Sequence, residues 1–111
     1  MEVITISIEN AAKELAKELK NTVEYSNYRQ AYARIKLDPT AQDIMTSMEQ
    51  IQLKIQEMLA EGLPVDEEFQ KLYQLQHQAV TNSTLAQFFA AQEAFSEVMK
   101  KADQIINQEL E

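Results

Sequence analysis

One glycine and two prolines are the only strong punctuation in a chain of 111 residues. Gly and Pro are the residues that turn or break a backbone, so a chain this poor in them must build from few, long elements. The length suits one domain spanning 1–111. The apolar spacing described below makes that domain all-helical, with a long antiparallel helical hairpin and additional N-terminal helices.

The first proline sits in "RIKLDPTAQDIMTSME", residues 34–49. Asp38 offers a carboxylate to the unpaired amides of a new helix. Pro39 takes the first helical position, where its missing N–H costs nothing. Pro39 also biases Asp38 away from helical geometry, so the preceding helix must stop near Leu37. Asp-Pro is therefore a stop and a start placed together. A catalytic use of Asp38 would need acid or base partners, and none is nearby in sequence.

Five helices follow from the remaining spacing. Residues 3–8, "VITISI", alternate and are β-branched, the pattern of a short strand. A lone strand has no partner here, so an extended lead-in or a first helical turn is expected. Helix 1 is predicted over about 7–21, with Ile8, Ala11, Ala12, Leu15 and Leu19 on one stripe. Thr22 can cap helix 2, about 23–36, whose face carries Tyr25, Tyr28, Tyr32 and Ile35. Tyrosines there bury a ring while the hydroxyl stays near water. That suits packing within the chain as well as a groove or interface.

Helix 3 is predicted over about 39–61. Ala41, Ile44, Met48, Ile51, Ile55 and Met58 alternate in steps of three and four, a heptad seam. Gly62, with Pro64 close behind, marks a helix end with a left-handed cap. Asp66, or a residue just before it, should cap helix 4, about 66–81, which carries Phe69, Leu72, Tyr73, Leu75, Ala79 and Val80. "TNST" at 81–84 is a weak break capped by Asn82 or Ser83. Helix 5 is predicted over about 84–109. Its main track is Leu85, Phe88, Phe95, Met99, Ala102 and Ile106, flanked by Phe89, Ala91, Val98 and Ile105.

These rods are long for one small domain. Helix 3 alone would be on the order of 35 Å at ~1.5 Å per residue, against a radius of gyration of ~13 Å for a compact domain of this size. The apolar stripes extend farther than one copy can cover, which predicts a partner, most simply a second copy forming a homodimer or higher homo-oligomer.

Charge narrows the choice of partners. The formal net charge is −8. Residues 1–36 hold six basic and five acidic side chains, a net of +1, whereas residues 37–111 hold four basic and thirteen acidic, a net of −9. The body should repel a phosphate backbone, so no direct nucleic-acid binding is expected of it. The near-neutral N-terminal third is the only part suited to RNA. No apolar run approaches the ~18–20 residues of a membrane span, so no membrane insertion is expected. The opening "MEVITISIEN" has no basic cluster and does not resemble a signal peptide.

The residue types for chemistry are sparse. There is no Cys, hence no disulfide framework, thiolate zinc site or Cys-ligated cluster, and a reducing compartment fits. His77 is the only histidine and has no acidic residue three or four positions away, so it reads as a surface residue. No Gly-rich phosphate loop is present. Glu67/Glu68 and Glu93/Glu97 are carboxylate pairs of the kind common on exposed helices. No catalytic, metal or cofactor-binding residue is assigned. An enzyme with a shallow carboxylate site is the alternative, as is a purely structural helical protein.

An ordered set of residues resembles the YlbF/YmcA/YheA family of small bacterial helical proteins over about residues 7–108. Tyr25 and Tyr28 open helix 2. Asp38 and Ala41 follow, then Ile44, Gln52, Gly62 and the run Val65-Asp66-Glu67-Glu68. Asn82, Phe88-Phe89, Ala91-Gln92-Glu93 and Ile105-Ile106 complete the set. The pattern is most similar to the YheA-like branch. The resemblance implies a cytoplasmic all-α protein built on a long hairpin that dimerises. It also implies regulatory work: competence, sporulation and biofilm control, and for some members a complex that adjusts the specificity of the membrane-bound ribonuclease Y. Members of that complex carry cysteines associated with iron–sulfur clusters; this chain has none, so that cofactor does not carry over.

The function expected is that of a non-enzymatic regulator or adaptor working through helix–helix contacts, with a protein partner in a regulatory or RNA-processing complex. Candidate interface residues are Tyr25, Tyr28 and Tyr32 on helix 2, Ile44, Met48, Ile51 and Ile55 on helix 3, and Phe88, Phe89, Glu93 and Phe95 on helix 5. Glu93 stands well away from the Phe88–Phe95 track on a helical wheel; simple solvation is its plain reading, and contact with a further partner the functional one.

Overall fold

A computed structural model of the protein describes residues 2–111. Met1, the start of the opening stretch read above for a targeting signal, lies outside them. Five helices make up the described residues: α1 (Glu2–Lys20), α2 (Val23–Ile35), α3 (Pro39–Ala60), α4 (Asp66–Thr81) and α5 (Ser83–Leu110). The strand-like alternation over residues 3–8 is overridden, and α1 begins at Glu2. A solitary strand leaves its amides and carbonyls unpaired, whereas a helix satisfies its own.

Local chemistry explains each boundary. The Thr22 hydroxyl donates to the Leu19 carbonyl at 2.7 Å and accepts from the Tyr25 amide at 3.1 Å, closing α1 and opening α2. Asp38 has extended geometry (φ −119°, ψ 97°) and accepts from the Ala41 amide at 3.2 Å, with Pro39 at the first helical position. The Gln42 amide donates to the carbonyls of Ile35 at 3.2 Å and Lys36 at 2.8 Å. The Ile35 carbonyl also accepts from the Asp38 backbone amide at 3.0 Å, so the Gln42 side chain adds to a turn bond there and caps the Lys36 carbonyl beyond the end of α2.

Gly62 has φ +74°. Around it the Leu63 amide donates to the Met58 carbonyl at 2.9 Å and the Gly62 amide to the Leu59 carbonyl at 3.1 Å. This paired bonding is the Schellman ending, and it requires the left-handed residue that glycine supplies most cheaply. Of the two candidates for the cap of α4 the structure takes the residue before Asp66: Val65 holds the cap position without a side-chain cap bond, and Asp66, Glu67 and Glu68 fill the first turn. Their charge complements the exposed amides there. Asn82 alone separates α4 from α5. Its Oδ1 accepts from the Leu85 amide at 3.0 Å, and the Thr81 hydroxyl closes α4 on the His77 and Gln78 carbonyls.

The chain forms two compact units, Ala31–Phe89 and the pairing of Met1–Gln30 with Ala90–Glu111. In the first, α3 and α4 pack as an antiparallel hairpin. Its core is Ile51, Ile55 and Val65, with Met58, Leu72 and Leu75 packed against them. Ala41, Ile44, Ala79, Leu85 and Phe88 are also buried in this unit, as are Ala31 and Ile35 at the end of α2. In the second unit, α1, the start of α2 and the remainder of α5 come together. Tyr25 and Tyr28 pack on Phe95, with ring centroids 5.3 and 6.0 Å apart.

Candidate protein-interaction surfaces

The sequence-predicted interface residues separate into three groups. Ile44, Ile51, Ile55 and Phe88 are buried within the chain itself. The α3 seam is therefore occupied by the chain's own packing, because a heptad pattern specifies an apolar stripe but not which helix covers it. Tyr25, Tyr28, Met48, Phe89 and Phe95 are half-buried. Tyr32 and Glu93 are exposed. Tyr32 lies against Phe88 at 6.2 Å between centroids, with the Lys36 ammonium 5.0 Å from its ring.

The broad apolar face expected of α4 also divides. Ala79 is buried and Leu72 and Leu75 are partly buried, while Phe69, Tyr73 and Val80 are exposed. In their place Glu68 turns inward, 7% exposed, with one carboxylate oxygen lacking any hydrogen-bond partner. The sequence reads Glu68 as half of an exposed carboxylate pair with Glu67, and the structure corrects that. Sequence reasoning also missed Gln42 as a cap and the bond from Arg34 Nη1 to Gln87 Oε1 at 3.1 Å.

Two surfaces stand out. The first belongs to the α1/α5 unit. Ile8 is 65% exposed, and Leu15, Met99, Ile105 and Ile106 are exposed as well. Leu15, Leu19, Met99 and Ala102 line a groove of about 320 Å³ between α1 and α5, with Lys100 and Asp103 at its edge. None of the described side chains of α1 is buried, although the helix carries a continuous apolar stripe. A helix of this kind draws most of its stability from covering that stripe.

The second surface is a groove of about 400 Å³ along the α3–α4 hairpin. Ile51 and Leu75 form its floor; Lys54, Lys71 and glutamine amides form its walls.

Features of other chemistries are weak. Among the described residues no group of three or more His, Asp or Glu side chains is arranged to hold a metal ion. Among the same residues no helix is long and apolar enough to cross a membrane. His77 and Glu93 are exposed, and Glu97 pairs with Lys100 at 3.4 Å on the solvent face. Glu67 is exposed while its neighbour Glu68 is buried.

Known proteins share this architecture. A UPF0342 protein of Staphylococcus saprophyticus is 27% identical over 104 residues, covering 93% of this chain and 91% of the relative. One of Streptococcus uberis is 29% identical over 104 residues, with 93% of each chain covered. A solved protein of unknown function (DUF964) from Bacillus stearothermophilus superposes with a TM-score of 0.78 at 21% identity, over 94% of this chain and 92% of that one. Bacillus subtilis RicA, solved in complex with RicF, gives a TM-score of 0.73 at 20% identity, covering 92% and 91%. The family model described as control of competence regulator ComK, YlbF/YmcA, matches residues 8–111, and the chain belongs to that family.

Proposed function

We propose that the protein is a non-enzymatic regulatory adaptor that works as a homodimer and through helix–helix contacts with other proteins. The observation that carries this reading is α1: an apolar stripe with Ile8 and Leu15 exposed, beside Met99, Ile105 and Ile106 of α5, equally uncovered. A second copy presenting the same face would bury both sets of side chains at once, as a two-fold interface requires. Tyr25, Tyr28 and Phe95 make an aromatic cluster in the same unit.

Two comparisons support the regulatory part. The family is described by control of a competence regulator, and a structural neighbour was solved bound to another protein. Competence control in the cytoplasm is the role proposed here. Assistance to a ribonuclease-containing RNA-processing complex is the narrower form of it that the family resemblance implies. The acidic body, with a net of −9 over residues 37–111, favours protein over nucleic acid as the direct contact.

Sedimentation equilibrium at micromolar concentration tests the reading. The expected mass is twice that of the chain. Met99→Glu combined with Ile106→Glu should return the mass to one chain with helical circular dichroism retained. A wild-type protein that sediments as a monomer would refute self-association.

A further inference from the structure

We infer that the groove along the α3–α4 hairpin is a docking site for an acidic amphipathic helix of a partner protein. The groove is built from Ser47, Gln50, Ile51 and Lys54 on α3 and from Lys71, Gln74, Leu75 and Gln78 on α4. Each set has the spacing i, i+3, i+4, i+7, the contiguous face of two helical turns. The hairpin is antiparallel, so Ile51 and Leu75 meet at the middle while Lys54 and Lys71 stand together at the end nearer the Gly62 turn. The result is a short trough with an apolar floor, amide walls and positive charge at one end. Its volume is about 400 Å³.

Charge identifies the occupant. Lys54 and Lys71 are the only Lys or Arg residues between positions 37 and 99, in the most acidic part of the chain. Carboxylates stand within reach along each helix, Glu57 three residues after Lys54 and Glu67 four before Lys71. Such spacings normally give ion pairs. Neither lysine makes one; the ion pairs among the described residues are Lys17–Glu14 and Lys100–Glu97. Both lysines line the groove instead.

Electrostatic reach in physiological salt is ~8 Å, so Glu57 and Glu67, one turn away, also act at this end, and an incoming carboxylate gains only where it seats directly on the two unpaired lysines. A partner helix with Leu or Ile on one stripe and Asp or Glu beside it satisfies floor and end together. This is the helix-in-groove mode, with anchors at i, i+3/i+4 and i+7. A carboxylate near the partner's C-terminus fits best over the lysine end, because the helix dipole adds negative character there. The inference deepens the adaptor reading by naming partner chemistry, and it uses a surface separate from the α1/α5 face.

The test uses the full-length protein, isotopically labelled, titrated with a helical peptide of about five turns. The peptide carries a leucine stripe flanked by Glu. Control peptides carry Gln or Lys at the same flanks. The expected result is amide shifts confined to residues 47–54 and 71–78, with affinity for the Gln peptide at least tenfold weaker, roughly the loss of one charged contact. Lys54→Glu with Lys71→Glu should reverse the preference toward the Lys peptide while the helical spectrum is unchanged. Equal affinity for the Glu and Gln peptides would overturn the inference. So would shifts that map elsewhere, or no binding of the Glu peptide at about 1 mM. Dissociation of a wild-type dimer by the two lysine changes would assign the groove to a second copy and equally overturn it. Self-association is read separately through Met99 and Ile106, so the two proposals can fail independently.

Discussion

Asp38 and Thr84 are joined by a side-chain hydrogen bond that ties the start of α3 to the first turn of α5. Asp38 already caps α3 through the Ala41 amide. A residue read as local punctuation thus also makes a long-range contact. The Thr84 bond, and then the Ala41 amide, hold the Asp38 carboxyl below its ordinary value of 3.8, against a weaker opposing effect of desolvation.

A pH dependence follows from that bond. The folded-state value is lowered, so the contribution of Asp38 to stability is fully present above about pH 4, the unfolded range. It is lost as pH falls through the lowered folded value. Asp38→Ala should be less stable than wild type at pH 7, and the gap should close below pH 4. Urea denaturation at both pH values measures it; a gap that persists unchanged in acid would mean that the carboxylate charge plays no part.

Asn82 and Leu85 should show contrasting losses. Asn82 caps α5 through the Leu85 amide, and Leu85 has no accessible surface. Asn82→Ala should cost ~1 kcal/mol, as for other N-caps. Leu85→Ala should cost ~2–5 kcal/mol, because a cavity is added to the lost burial. Chemical denaturation of both variants checks the order. A Leu85 change as mild as the Asn82 change would show that the site collapses around the missing side chain.

Glu68 should be better replaced than kept, as far as folding goes. One of its oxygens is buried without a partner. An unsatisfied buried polar group costs ~1–3 kcal/mol. Glu68→Leu should therefore raise the melting temperature, less a few tenths of a kcal/mol for the lost charge in the first turn of α4. A lower melting temperature in calorimetry would show that the carboxylate is satisfied in solution.

Helix count, helix type and most boundaries could be read from residue order alone. The caps of Thr22, Asp38 and Asn82 and the Gly62 ending all act within about one turn of the chain, so the residues that make them lie side by side in the sequence. Gln42 escaped notice because its bonds run backward across a helix junction, and no spacing rule encodes them. Residues 3–8 take the helical of the two readings open to them, because β-branched alternation is a strand signal only where another strand can pair with it.

Periodicity also located the apolar stripes, but it could not say what covers them. Ile51 and Ile55 are taken up by α4 and the Val65 turn, whereas the equally regular stripe of α1 leaves Ile8 and Leu15 in the open. Phe69, Tyr73 and Val80 were expected to share a face with Leu72 and Leu75, yet they point outward while Glu68 turns in. Burial is a property of facing surfaces, and the sum of contacts that fixes it involves residues far apart along the chain. For the same reason, the convergence of Lys54 and Lys71 on one groove became visible only once α3 and α4 lay side by side.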